Sequence, residues 1–432
     1  MKDSGIDWIG KIPDEWTRRQ IRYLFEIRDE RNYKPLSEVN LISVYTDKGV
    51  LQHSDIEQTT GNKAQNADGY KHVYKNDLVV NIILCWMGAL GISDFDGVTS
   101  PAYDVYSPKN LDLIFPKYYH YLFRTPQFNG KCYTEGRGIM QMRWRTYSSE
   151  FKSIKIPLPP LSEQTKIANF LDKKCAQIDS IIEESKKSIE EYKSWKQSVI
   201  FEAVTGKNLS CKKKDSGIEW LGEIPEEWEV QRLKSYFNFK KGLPITKENL
   251  EDSGISVISY GQIHSKNNNG VSICNELIRF VDKSYLKSNS ESLVKKGDFI
   301  FADTSEDLEG CGNCAYVNSD EIIFAGYHTI IFSSKYQNEN KYLAYLFLTD
   351  AWRTQIRCNC SGVKLFSITK KILSKVSIIL PPLSEQESIA NFLEKKCTQI
   401  DSLISEKQSL IKDLAEYKKS LIFEAVTGKR RV

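Results

Sequence analysis

The chain has 432 residues, of which 41% are hydrophobic, 11% aromatic and 27% charged, with a formal net charge of +4. That length and balance suit two to four globular domains and exclude a disordered or collagen-like chain. No run approaches the roughly 18–20 apolar residues of a membrane helix, and a charge this small permits a nucleic-acid partner without requiring one. The ten cysteines are no disulfide framework in a chain this long and read as free thiols of a reducing compartment. Met1-Lys-Asp-Ser-Gly lacks the apolar stretch of a signal peptide, so the expected location is the cytoplasm.

Taken in order, the first element is Asp3 to Trp16, DSGIDWIGKIPDEW. It returns as DSGIEWLGEIPEEW at Asp215 to Trp228, with 10 of 14 positions identical at an offset of 212. Residues 17–157 follow, a mixture of short strands, polar loops and a few helices. Asn40-Leu-Ile-Ser-Val-Tyr and Leu78 to Leu84 read as strands, and Tyr118 to Arg124 as a helix. Residues 229–379 are built alike: Ile255-Ser-Val-Ile-Ser-Tyr, Asp298-Phe-Ile-Phe and Ile322-Ile-Phe read as strands and Tyr342 to Leu348 as a helix. The two segments resemble each other only in patches, such as Lys117-Tyr-Tyr-His-Tyr-Leu-Phe and Lys341-Tyr-Leu-Ala-Tyr-Leu-Phe. An α+β fold is expected for each.

The third element is a long repeat. Leu158 to Lys207 aligns without a gap on Leu380 to Lys429 at an offset of 222, with 32 identities in 50 positions. Both copies open with LPPLSEQ and close with FEAVTGK. Pro159-Pro160 cannot continue a ladder, Ser162 is a plausible N-cap, and Ser384 with Glu387 forms a capping-box pattern. About 43 residues without Pro or Gly follow, roughly 64 Å of helix. Apolar residues recur at alternating steps of four and three, among them Leu171, Ile178, Ile182 and Ile189 in one copy and Leu393, Ile400, Ile404 and Ile411 in the other. Such a seam seeks a partner helix, and the nearest is the other copy; the alternative is that each helix packs on its own globular domain. Gly206 and Gly428 sit where a C′ glycine belongs. FEAVTGK lacks the glycine spacing and the following Ser or Thr of a P-loop, so a nucleotide site is not expected there.

Catalytic signatures are scarce. None of the five histidines falls in a His-Glu-x-x-His pattern, and Pro159-Pro160 lacks the flanks of an amino-methyltransferase turn. Cys311-x-x-Cys314 with Cys358-x-Cys360 could in principle hold zinc, but the first variable segment has no equivalent, and free thiols are the expectation. Lys+Arg minus Asp+Glu gives 19 − 15 = +4 for residues 17–157 and 19 − 16 = +3 for 229–379. The polar and basic loops there can pair with base edges and hold phosphates. The candidate DNA-binding residues are Tyr45, Lys48, Lys71, Arg137, Gln141, Arg143 and Arg145 in the first segment. In the second they are Tyr260, Gln262, His264, Lys266, Asn267, Ser361 and Lys364.

The doubled LPPLSEQ…IANFL…IDS…FEAVTGK, with Ile12 to Trp16 and Ile224 to Trp228 leading into the variable segments, resembles the specificity subunit of a type I restriction–modification system over nearly the full length. The resemblance implies two target recognition domains, residues 1–157 and 208–379, and two spacer helices, residues 158–207 and 380–432. It implies an antiparallel two-helix coiled coil, a pseudo-two-fold repeat with the termini close together, and a subunit without catalysis of its own. Each domain would read one half of a bipartite, asymmetric site in double-stranded DNA. The helices would set the gap and dock two methyltransferase subunits; restriction/translocase subunits would complete the complex. S-adenosylmethionine, ATP and Mg would sit on those partners, with no cofactor or metal on this chain and no membrane involved. A coiled-coil scaffold that binds proteins alone is the competing reading.

Overall fold

The computed structural model describes residues 1–55, 66–139, 144–336, 340–362 and 364–432. Close contacts divide the chain into two units, Met1–Lys186 with Lys407–Val432, and Lys187–Glu406. The divisions fall inside the two long helices, Leu161–Thr205 and Leu383–Val426, so each unit holds one variable domain and a piece of both.

In the first unit a four-stranded antiparallel sheet runs in the order Phe25–Arg28, Tyr103–Pro108, Leu78–Asn81, Leu90–Ile92. The second unit repeats it as Phe237–Lys241, Thr329–Ser334, Phe299–Ala302, Cys314–Tyr316. It adds a mixed sheet in which Ile255–Ile258 lies parallel to Ile323–Ala325. The strand expected over Leu78 to Leu84 ends at Asn81. There the side-chain carbonyl of Asn81 accepts from the amides of Ile83 and Leu84 and turns the chain. A helix pair follows each sheet, Pro116–Phe123 with Pro126–Glu135 and Lys341–Leu348 with Asp350–Arg357. Thr125 and Thr349 cap the second helix of each pair.

The two units share one packing scheme. Trp16 is buried and its indole donates to Glu163 at 2.6 Å; Trp228 does the same to Glu385 at 2.9 Å. The Tyr118 hydroxyl donates to the carbonyl of Val426, and that of Tyr342 to the carbonyl of Val204. The start of one long helix is thus bound, through a tryptophan, beside the end of the other. Further along, Asp179 pairs with Lys418 in the first unit and Asp401 with Lys196 in the second, both at 2.7 Å. Within each unit the two helix pieces therefore run antiparallel.

FEAVTGK closes both long helices by one device. Gly206 and Gly428 have φ of 66° and 70°. The Lys207 amide donates to the carbonyl of Glu202 and that of Lys429 to Glu424, the six-to-one bond of a Schellman ending. The Lys207 and Lys429 ammonium groups fold back over the rings of Phe201 and Phe423, at 4.7 and 4.6 Å. The expected caps at Ser162 and Ser384 are displaced. The helices begin two residues earlier than those caps require, at Leu161 and Leu383, with the carbonyls of Pro160 and Pro382 accepting the first helical bonds. Gln164 seals the start in the first unit, accepting from the Phe115 amide and donating to the carbonyls of Leu113 and Pro159.

Candidate nucleic-acid interface

Leu171, Ile178, Ile189, Leu393 and Ile400 are buried, and Ile182, Ile404 and Ile411 are half-buried. Of the polar residues at the same spacing, Ser185 is buried, and the half-exposed Lys196 and Lys418 reach Asp401 and Asp179. A second line of apolar side chains remains exposed on the long helices. Ile181 and Trp195 lie 14 residues apart on one; Leu403, Leu410 and Tyr417 recur every seven on the other.

In the first domain the loop after Pro126–Glu135 is closed by an antiparallel bridge, Arg137 opposite Arg145. Its far stem is pinned on three sides. The Trp144 indole donates to the Tyr133 carbonyl and stacks on that ring at 4.9 Å. The Thr146 amide donates to the Ile82 carbonyl, and its hydroxyl to that of Cys132. Gly136 is required at the turn, since a Cβ there would stand 2.5 Å from the Trp144 indole nitrogen. Arg137 is ion-paired to Glu150 at 3.2 Å and its guanidinium lies over the Tyr147 ring at 5.1 Å. The Ser149 hydroxyl, and secondarily Arg137, hold the Glu150 carboxyl below the usual glutamate range. Gln141 and Arg143 fall outside the described residues.

Tyr45 and the exposed Lys48 lie on the hairpin of Ile42–Tyr45 and Gly49–Gln52. Arg124 ties its tip down, donating to the carbonyls of Asp47, Gly88 and Leu90. Lys71 is differently placed from its expected role. It is 7% exposed, and its ammonium is committed to Asp104 at 3.1 Å and the Tyr103 carbonyl at 2.7 Å, where it secures the strands. Nothing in its sequence neighbourhood distinguished it from a surface lysine.

The second domain carries the corresponding loop after Asp350–Arg357, closed by the bridge of Ser361 and Ser367. Ser361 and Lys364 are exposed on it. Ser367 also pairs with Thr304, whose carbonyl receives His264 Nε2 at 2.9 Å, so the 260–267 segment and this loop meet at one strand end. His264 Nδ1 faces the Asn313 amide at 3.2 Å, and the Gln262 side-chain carbonyl accepts from the Ser259 amide as a helix cap. Both side chains thereby hold the fold, while Lys266 and Asn267 are exposed and Tyr260 is half-exposed beside His328. A cleft of about 630 Å³ opens here, lined by Tyr260, His264, Glu306, Asp307, Asp350 and Arg357 among others. Sequence reasoning missed its acidic wall because its residues come from three separate segments.

All ten cysteines are free. Burial pushes the Cys311 and Cys314 thiols up to about 12. Among the described residues no group of three or more His, Cys, Asp or Glu side chains is gathered as a metal site. No helix there is long and apolar enough to cross a membrane.

Two mixed domains with loops of this kind, each joined to its own equivalent helix pieces by equivalent bonds, define a doubled protein. The model of the type I restriction modification DNA specificity domain matches residues 13–191 and again 225–413, and the chain belongs to that family. Its relatives include the type I restriction enzyme MjaVIII specificity subunit of Methanocaldococcus jannaschii, 25% identical over 85% of this chain and 83% of that one. The putative MjaX specificity subunit of the same organism is 26% identical over 98% and 96%. The EcoKI specificity subunit of Escherichia coli is 24% identical over 65% of this chain and 58% of its own. Among solved structures, a chain from work on complex assembly and conformational transition of the type I R-M system superposes with a TM-score of 0.71 at 15% identity, covering 97% of this chain and all of that one. The HsdS subunit of Thermoanaerobacter tengcongensis gives 0.57 at 15% identity, covering 97% and 98%. As a specificity subunit, the chain is a non-catalytic component of a type I restriction–modification complex.

Proposed function

We propose that this chain reads a bipartite, asymmetric site in double-stranded DNA, one half by each variable domain, and directs adenine methylation and restriction by its partners. The observation that carries this is the bridged loop at one place in both domains, with Arg137 and Arg145 in the first and Ser361 and Ser367 in the second. A common frame with unlike side chains suits two half-sites of unlike sequence. Lys48, Arg145, Lys266 and Lys364 supply charge for the phosphates. The repeated Trp16–Glu163 and Trp228–Glu385 bonds support a pseudo-two-fold repeat, and the buried seam supports a coiled coil that sets the gap between half-sites. The exposed line of Leu403, Leu410 and Tyr417, matched by Ile181 and Trp195, suits docking of two methyltransferase subunits through helices of their own. S-adenosylmethionine, ATP and Mg belong to those and to the restriction subunits, with no cofactor on this chain, and the complex acts in the cytoplasm.

The test is a map of methylated adenines across a genome, made with the methyltransferase subunit alone and with this chain added. A two-part motif with a fixed gap is expected only in the second case. An unchanged map, or failure of the two proteins to form a complex, overturns the reading.

A further inference from the structure

Arg137 and Arg145 exchange both backbone hydrogen bonds of their bridge, at 2.9 and 3.1 Å. Residues paired in this way stand about 5.5 Å apart at Cα and send their side chains to the same face. Two guanidiniums on one face repel each other, an arrangement that costs the free protein and favours a ligand rich in acceptors. The fold treats the two unequally. Arg137 is 69% exposed, yet its fork is fixed by Glu150 on one side and by the Tyr147 ring beneath it. Arg145 is half-buried and has no side-chain partner among the described residues. A guanidinium oriented by a carboxylate and an aromatic face aims its remaining N–H groups in one direction, as a pair of acceptors on a base edge requires. A phosphate accepts from many directions and needs only the charge.

Resting on the DNA-reading function above, we propose that Arg137 reads a guanine through O6 and N7 in the half-site of the first domain, while Arg145 holds a neighbouring phosphate. The matching bridge of the second domain carries Ser361 and Ser367, which offer no such fork. The guanine requirement at this register therefore belongs to one half-site alone. Glu150 is a positioning residue: it touches Arg137 and acts through it.

The experiment uses the full chain in complex with its methyltransferase subunit and duplexes carrying each base at each position of the mapped site. Arg137→Lys keeps the charge and loses the fork. It is expected to reduce discrimination at one guanine by about 5- to 150-fold and leave the other half-site as it was. Arg145→Ala is expected to weaken binding to all sequences alike and to lower the salt slope by about one. Glu150→Gln should relax the same guanine part of the way. The proposal is overturned if Arg137→Lys retains discrimination, if the affected half-site holds no guanine, or if preference is lost at both halves together, which marks a structural role. A wild-type complex without any sequence preference instead overturns the DNA-reading function beneath it.

Discussion

His120 shows what a single half-buried titratable group does to this fold. It lies in the helix Pro116–Phe123, its Nδ1 accepts from the Ile92 amide at 3.3 Å, and burial pushes its pKa down to about 4. An imidazole in the unfolded chain titrates near 6.5, so between about pH 4 and 6.5 the unfolded state binds the extra proton. The stability that neutral His120 contributes is complete above about pH 6.5 and is lost as pH falls towards 4, by on the order of 3 kcal/mol. Thermal melts of wild type and His120→Gln across that window check this: the variant is expected to show the shallower acid slope. Of the residues that hold the fold, Trp16, Trp228, Glu163 and Glu385 were visible as identities of the repeats, though not their bonds. Lys71 and His264 were visible only as residue types. A lysine in a polar loop and one clamped by Asp104 read alike until the strands bring the carboxylate to it.

At the scale of elements, the long helices are held at their ends and along their seam. Gly206 must keep a left-handed backbone, and a Cβ there would stand 2.6 Å from the Pro225 ring and 3.1 Å from Trp228. Gly222 has a similar φ of 73° with open space around it. Gly222→Ala is expected to cost about 1–2 kcal/mol from backbone conformation alone, and Gly206→Ala measurably more, read from denaturant midpoints. The Asp179–Lys418 pair is half-exposed and therefore modest. Asp179→Lys should cost about 1 kcal/mol or less, and the exchange Asp179→Lys with Lys418→Asp should restore most of it. Failure of the double variant to recover in urea unfolding would contradict the antiparallel pairing of these helix pieces. The helix bodies were legible because an apolar period of 3.5 inside a long run without Pro or Gly has few alternatives. Their starts were misplaced by two residues because Pro160 and Pro382 supply the first acceptors themselves, leaving Ser162 and Ser384 inside the first turn.

For the whole molecule, the consequence of doubling is interchangeability. Trp16 meets Glu163 of one 50-residue block and Gly428 of the other, and Trp228 meets the equivalent Glu385 and Gly206. A chain in which residues 158–207 are replaced by the sequence of 380–429, with the buried Ser185 kept because its counterpart is Lys407, is expected to fold with a melting temperature within about 4 °C of the parent, since Leu171, Ile178, Ile182 and Ile189 meet identical residues in the exchange. A large loss in calorimetry would show that the copies are specialised. The sequence by itself determined the doubling, the two long helices, their glycine endings and the family, because each is carried by local periodicity or by identity between copies. Only the tertiary structure decided which polar residues face solvent and which are consumed in holding the fold. It alone brought Arg137 opposite Arg145 and set Glu306 and Asp307 beside His264. Those outcomes depend on contacts between segments far apart in the chain, and no local pattern of residues records them.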